Sequence, residues 1–123
     1  MRALGLCLAL LTLPLLAEEV RYSGEYELCA REASSESELN NCLELELDRK
    51  TERLLYALEQ ALERLPPERQ KELEALHRQW IDYRDAKCEF LSHKASGTGG
   101  VTDSLHCKVK ETLERAFELE DVY

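Results

Sequence analysis

The residues best equipped for chemistry in this chain are its five cysteines and three histidines. Four of the cysteines, Cys29, Cys42, Cys88 and Cys107, follow an apolar leader, and Cys88-x4-His93 with His106-Cys107 offers four ligands of the kind zinc accepts. That set matches no tight zinc spacing, and an even number of cysteines in a small exported chain reads as two disulfides. No metal and no other cofactor is therefore expected. Acid–base catalysis would need two carboxylates held in a cleft with separated pKa values. The 25 acidic residues are instead spread along helical patterns, at positions such as Glu59, Glu63, Glu72 and Glu74. Gly-x-Ser-x-Gly, a phosphate-binding glycine loop and His-Glu-x-x-His are all absent. With its sulfurs paired the chain keeps no nucleophilic thiol, and no enzymatic activity is expected.

The leader explains why the sulfurs should pair. Arg2, the apolar run Ala3 to Leu16 and the small Ala17 before Glu18-Glu19 have the form of a secretory signal over residues 1–17. The run is too short to span a bilayer, so no stable membrane insertion is expected once it is removed. Cys7 lies within it, without the small residues of a lipoprotein cleavage box, and is expected to leave with it. Residues 18–123 then form one domain, delivered to the periplasm or secreted. A formal charge of −9 argues against nucleic acid and suits a cationic partner, or solubility alone.

Residues 18–34 read as an irregular or short helical lead-in containing Cys29. Ser35 is an expected N-cap, with Glu38 completing a capping box. Leu43, Leu47, Leu54, Leu58, Ala61 and Leu65 recur at helical spacing, widened by Leu55 and Leu62, up to Pro66-Pro67. The second proline suits the first turn of another helix. There Leu73, Leu76, Trp80, Tyr83 and Phe90 form the expected inner stripe, with Ile81, Cys88 and Leu91 alongside. Ser96-Gly97-Thr98-Gly99-Gly100 must be a loop. A third helix is expected from Asp103, with Leu105, Val109, Leu113, Ala116 and Phe117 inside. The fold class is thus all-α: an antiparallel hairpin of two long helices plus a shorter third, stapled by two disulfides. At about 1.5 Å rise per residue, Cys42 and Cys88 both lie roughly 30–36 Å from the proline turn. All four cysteines gather at the open end, where three pairings are possible. The shortest loops favour Cys29–Cys42 and Cys88–Cys107, each worth about 3 kcal/mol through chain entropy.

Several of these residues resemble the LprI-like N-terminal domain family of lysozyme inhibitors, small exported bacterial proteins mostly of unknown role. Leu39-Asn40-Asn41-Cys42 resembles its Met-Asn-x-Cys element, and Tyr56 stands where the first long helix usually carries a tyrosine. Trp80-x-x-Tyr83-Arg84-Asp85-x-x-Cys88 is the most specific element. Gly99-Gly100 and Cys107-x4-Thr112-x2-Arg115 resemble the loop and last helix. The chain departs from the pattern at His77, where glutamine is common, at Arg53, where asparagine is usual, and in a shorter Gly100–Cys107 stretch that lacks the usual tyrosine. The resemblance implies an envelope protein and promises inhibition of lysozyme or a related peptidoglycan hydrolase. The alternatives are an envelope structural or interaction module without inhibitory activity, and a metal-binding protein using the Cys/His set.

Against those functions stand plainer roles for the same residues. Trp80 and Tyr83 are expected in the core rather than as a stacking surface. Adjacent Arg84 and Asp85 are expected to reach separate neighbours rather than each other, Arg84 towards Glu44 and Glu46. Asn40, Tyr56, Thr112 and Arg115 are likewise expected to support the frame. The remaining binding candidate is the loop from Ser92 to His106, with His93, Gly99, Gly100 and Asp103, which a basic lysozyme could receive in its cleft.

Overall fold

The computed structural model describes residues 21–92 and 100–122, so the leader at 1–17, His93 and Gly99 lie outside the described residues. Four helices follow one another: α1 (Gly24–Glu32), α2 (Glu36–Glu63), α3 (Pro67–Ser92) and α4 (Gly100–Val122). No strand occurs among the described residues. The lead-in is thus a helix of its own, capped by Ser23, whose hydroxyl accepts the Tyr26 N–H at 3.1 Å. Ser35 caps α2 by accepting the Glu38 N–H. The Glu38 carboxylate reaches back one residue further than a capping box requires, to the N–H and hydroxyl of Ser34. At the proline turn the Gln70 side-chain amide donates to the Leu62 and Leu65 carbonyls, at 3.0 and 2.9 Å. That satisfies acceptors left over where α2 ends.

The two long helices run antiparallel about Pro66-Pro67, yet each packs chiefly on α4 rather than on the other. Contacts pair Glu36 and Asn40 with Thr102, and Arg53 with Glu120, so α2 and α4 run parallel. Leu54, Ala57 and Ala61 of α2 meet Ala116 and Leu119 of α4, with Leu73 closing the cluster from α3. The alanines let the two backbones approach closely. α4 buries Val109, Thr112, Leu113, Ala116 and Leu119 and is the central helix of the bundle. It begins at Gly100, three residues before the expected start. A side chain at Gly100 would meet the Ser92 carbonyl oxygen at 3.2 Å, and glycine there lets α4 start against the end of α3.

One expectation fails on α3. Leu76, Tyr83 and Phe90, assigned to the inner stripe, are 51, 61 and 75% exposed. The buried residues are Leu73, His77 and Cys88, and the Cys88–Cys107 bond holds that line against α4. Leu76, Tyr83 and Phe90 stand roughly 100° round the axis from it. Periodicity locates an apolar row without saying which of two rows faces inward.

The disulfides are Cys29–Cys42 and Cys88–Cys107, spanning 13 and 19 residues. Both lie at the end away from the prolines. Converting Cys29 and Cys42 together to serine should lower unfolding free energy by about 3 kcal/mol. Amide exchange should rise first in α1, because a helix this short is not stable alone. Unchanged protection of α1 would contradict this.

Candidate functional site at the cystine end

α1 is pinned to α2 at two points. One is the Cys29–Cys42 bond. The other is Glu46, one turn after Cys42, whose carboxylate has no exposed surface. It accepts the Ser23 N–H at 2.7 Å and the Ser23 hydroxyl at 2.5 Å, and pairs with Arg49 and Lys50, each at 3.1 Å. Burial pushes its pKa up, but the two Ser23 hydrogen bonds and Lys50 outweigh this and hold it below the ordinary glutamate value. A 2.6 Å hydrogen bond between the Tyr22 hydroxyl and Nδ1 of His106 ties the start of α1 to α4. Around these points Tyr26, Cys42 and Leu43 form a second small core with Tyr22, Ala30, Leu39 and Leu105.

This docking leaves two grooves beside the Ala33–Ser35 turn. One, of about 460 Å³, runs between that turn and the first turn of α4, bordered by Ala30, Leu39, Glu36, Thr102 and Asp103. The other, of about 480 Å³, lies between α1 and α2. It is lined by Leu28, Ala33 and the bonded Cys29 and Cys42, with Glu25, Glu32, Glu38 and Asn41. Thr102 fixes the first groove: its hydroxyl lies 3.1 Å from Glu36 Oε1 and 2.7 Å from the Asn40 side-chain oxygen position. A hydroxyl carries one proton, which Thr102 shares between these two acceptors, the Asn40 oxygen being the nearer.

The residues carrying the family resemblance gather elsewhere, between α3 and α4. The Arg84 guanidinium donates to Thr112 Oγ1 at 3.2 Å and lies 5.3 Å from the Trp80 ring centre. Arg115, largely buried, lies 5.9 Å from the same centre and pairs with Glu118. His77 stacks on Trp80 with ring centres 5.6 Å apart. Arg84 also donates to Asp85 through Nε and Nη2, at 3.0 and 2.8 Å, contrary to the expectation that these neighbours reach apart. A long guanidinium arm can curl back to the next residue, which helix-face geometry alone overlooks. Arg84 does not reach Glu44 or Glu46: the buried Glu46 is already taken by Ser23, Arg49 and Lys50. Trp80 is half-buried against the main core, while Tyr83 points to solvent near Lys87, itself bonded to Glu111 at 2.6 Å. Tyr56 is 65% exposed on α2, away from this cluster. Asn40 belongs to the cystine end through Thr102.

Of the candidate loop, Gly100 and Asp103 fall in the first turn of α4, and Asp103 borders the first groove. The zinc alternative loses two of its four ligands to the Cys88–Cys107 bond. Sequence reasoning passed over Ser23, Glu25, Leu28 and Glu32. The available signal was a leucine with glutamates three residues before and four after it, on one face of a short helix that contains a cysteine.

Fold and sulfur chemistry together define a small disulfide-stapled helical domain of the kind that forms in an oxidising compartment. No helix among the described residues is long and apolar enough to cross a membrane. The model of the family described as lysozyme inhibitor LprI matches residues 29–119, and the chain belongs to that family. No curated protein and no solved structure matches it.

Titration should expose both buried polar clusters. Burial, Arg115 and Arg84 hold the His77 pKa below 6.5, and burial does the same for His106 against the opposing pull of Asp103. Unfolded histidine takes a proton more readily, so their stabilisation is complete above pH 6.5 and is lost as pH falls towards the folded values. Glu46, also lowered, adds a second loss that begins near the ordinary glutamate value of 4.5. Melting temperature against pH should therefore descend in two stages. His77→Gln should shrink the first and spare the second; an unchanged first stage would contradict the assignment.

Proposed function

We propose that the protein, exported to the periplasm or beyond the cell, binds a lysozyme or related peptidoglycan hydrolase and blocks its action on the wall. The observation that carries this reading is the family match over residues 29–119, which spans all four paired cysteines. Lysozyme inhibition is the activity the family description carries. The charge of −9 supports it, because an acidic body attracts a basic enzyme and speeds encounter. The cystine end is the contact region of choice: its helices are covalently held, so little conformational freedom is lost on binding. The binding candidates Gly100 and Asp103 lie there, beside a groove. The family-signature residues Trp80, Arg84, Asp85, Thr112 and Arg115 support the frame through the α3–α4 packing. Inhibition needs only occlusion, and no catalytic role falls to any residue.

The test is a turbidity assay of lysozyme on cell walls with purified oxidised protein. Inhibition at micromolar concentration is expected, and reduction of the disulfides should weaken it by about tenfold or more through loss of the preorganised end. Absence of inhibition together with absence of binding to any wall hydrolase would reject the proposal.

A further inference from the structure

We infer that the groove between α1 and α2 is a receptor for an arginine or lysine side chain of the partner. This rests on the proposed function and assigns the contact within it. Glu25, Leu28 and Glu32 recur three and four residues apart and share one face of α1, while Glu38 and Cys42 share the facing side of α2. Leu28, Ala33 and the bonded Cys29 and Cys42 thus line a hollow of about 480 Å³ together with Asn41 and carboxylates from both helices. No cationic residue lines it. Leu28 is 54% exposed and offers apolar surface beside these acids.

A long basic side chain satisfies both features at once. Its methylene stem lies on leucine and sulfur, and its charged head reaches the carboxylates. Glu38 is already set for this. Its Oε2 is held by the Ser34 N–H and hydroxyl at 2.7 and 2.9 Å, leaving Oε1 to accept. The Ser34 backbone hydrogen bond, foremost, keeps that carboxylate ionised below the ordinary range. Among the described residues no three Asp, Glu, His or Cys side chains stand close enough to hold a metal ion. The groove is also anchored at both ends of α1, by Glu46 with Ser23 and by the disulfide, so the acids hold their spacing before a partner arrives.

The probe is a purified c-type lysozyme, with affinity measured by titration calorimetry and inhibition by turbidity. Glu25→Lys with Glu32→Lys should weaken both by about tenfold or more. Leu28→Ser, which leaves charge untouched, should also weaken binding. Glu59→Lys with Glu63→Lys, the same charge change near the proline turn, should have much the smaller effect. Equal losses from the two double variants, or wild-type affinity in the groove variants, would overturn the groove while leaving the inhibitor reading intact. A wild-type protein that binds no lysozyme would remove that reading and the groove with it.

Discussion

A carboxylate with no access to water, Glu46, decides where the first helix lies and so what the cystine end presents. Burying an ionised group is costly unless hydrogen bonds and countercharge replace the lost hydration. Ser23 supplies two hydrogen bonds and Arg49 and Lys50 supply the charge. Ser23 in turn caps α1, so one residue links the helix N-terminus to the buried acid. Cys42 stands one turn before Glu46 and takes the far part of α1 through Cys29. Two attachments fix a short helix in rotation as well as position. With α1 free to roll, neither Glu25 and Glu32 nor Leu28 would hold a defined place opposite Glu38.

On the proposed function, the molecule separates its frame from its contact surface. Trp80, Arg84, Asp85, Thr112 and Arg115 meet where α3 packs on α4, with two guanidinium groups over one indole ring and a buried threonine receiving one of them. Such contacts set helix rotation and leave little for a partner to grasp. Glu25 and Leu28 precede the matched span, which begins at Cys29. The groove therefore combines family frame with residues outside the match. Arg53, where the family usually has asparagine, has its own use here: it forks onto Glu120 at 2.9 Å through two nitrogens and lies over Phe117. It ties the middle of α2 to the end of α4.

Much of this frame was legible in the residues. Leu43, Leu54 and Ala61 in α2, and Val109, Leu113 and Ala116 in α4, are buried as their spacing implied. The prolines and the glycine run marked the turns, and loop length pointed to the disulfide pairing that forms. What spacing could not supply was rotation and partnership. α3 carries two apolar rows, and only the tertiary pull of Cys107 and of Thr112 towards Arg84 selects between them. α4 looked like an addition to a hairpin because its length is modest, yet its small buried residues make it the helix both others need. Glu46 resembled any surface glutamate of an acidic helix. Its burial depends on Ser23, twenty-three residues earlier, and no periodicity connects the two.

If the domain binds a wall hydrolase with its cystine end, as proposed, lysozyme must perturb that end first. Amide chemical shifts of the isotope-labelled oxidised protein, followed while lysozyme is added, test it most directly. The account predicts changes concentrated in α1, the first turns of α2 and the first turn of α4, with the proline turn silent. Changes centred on Pro66-Pro67 or on the exposed Leu76–Tyr83–Phe90 row, with α1 unaffected, would contradict it.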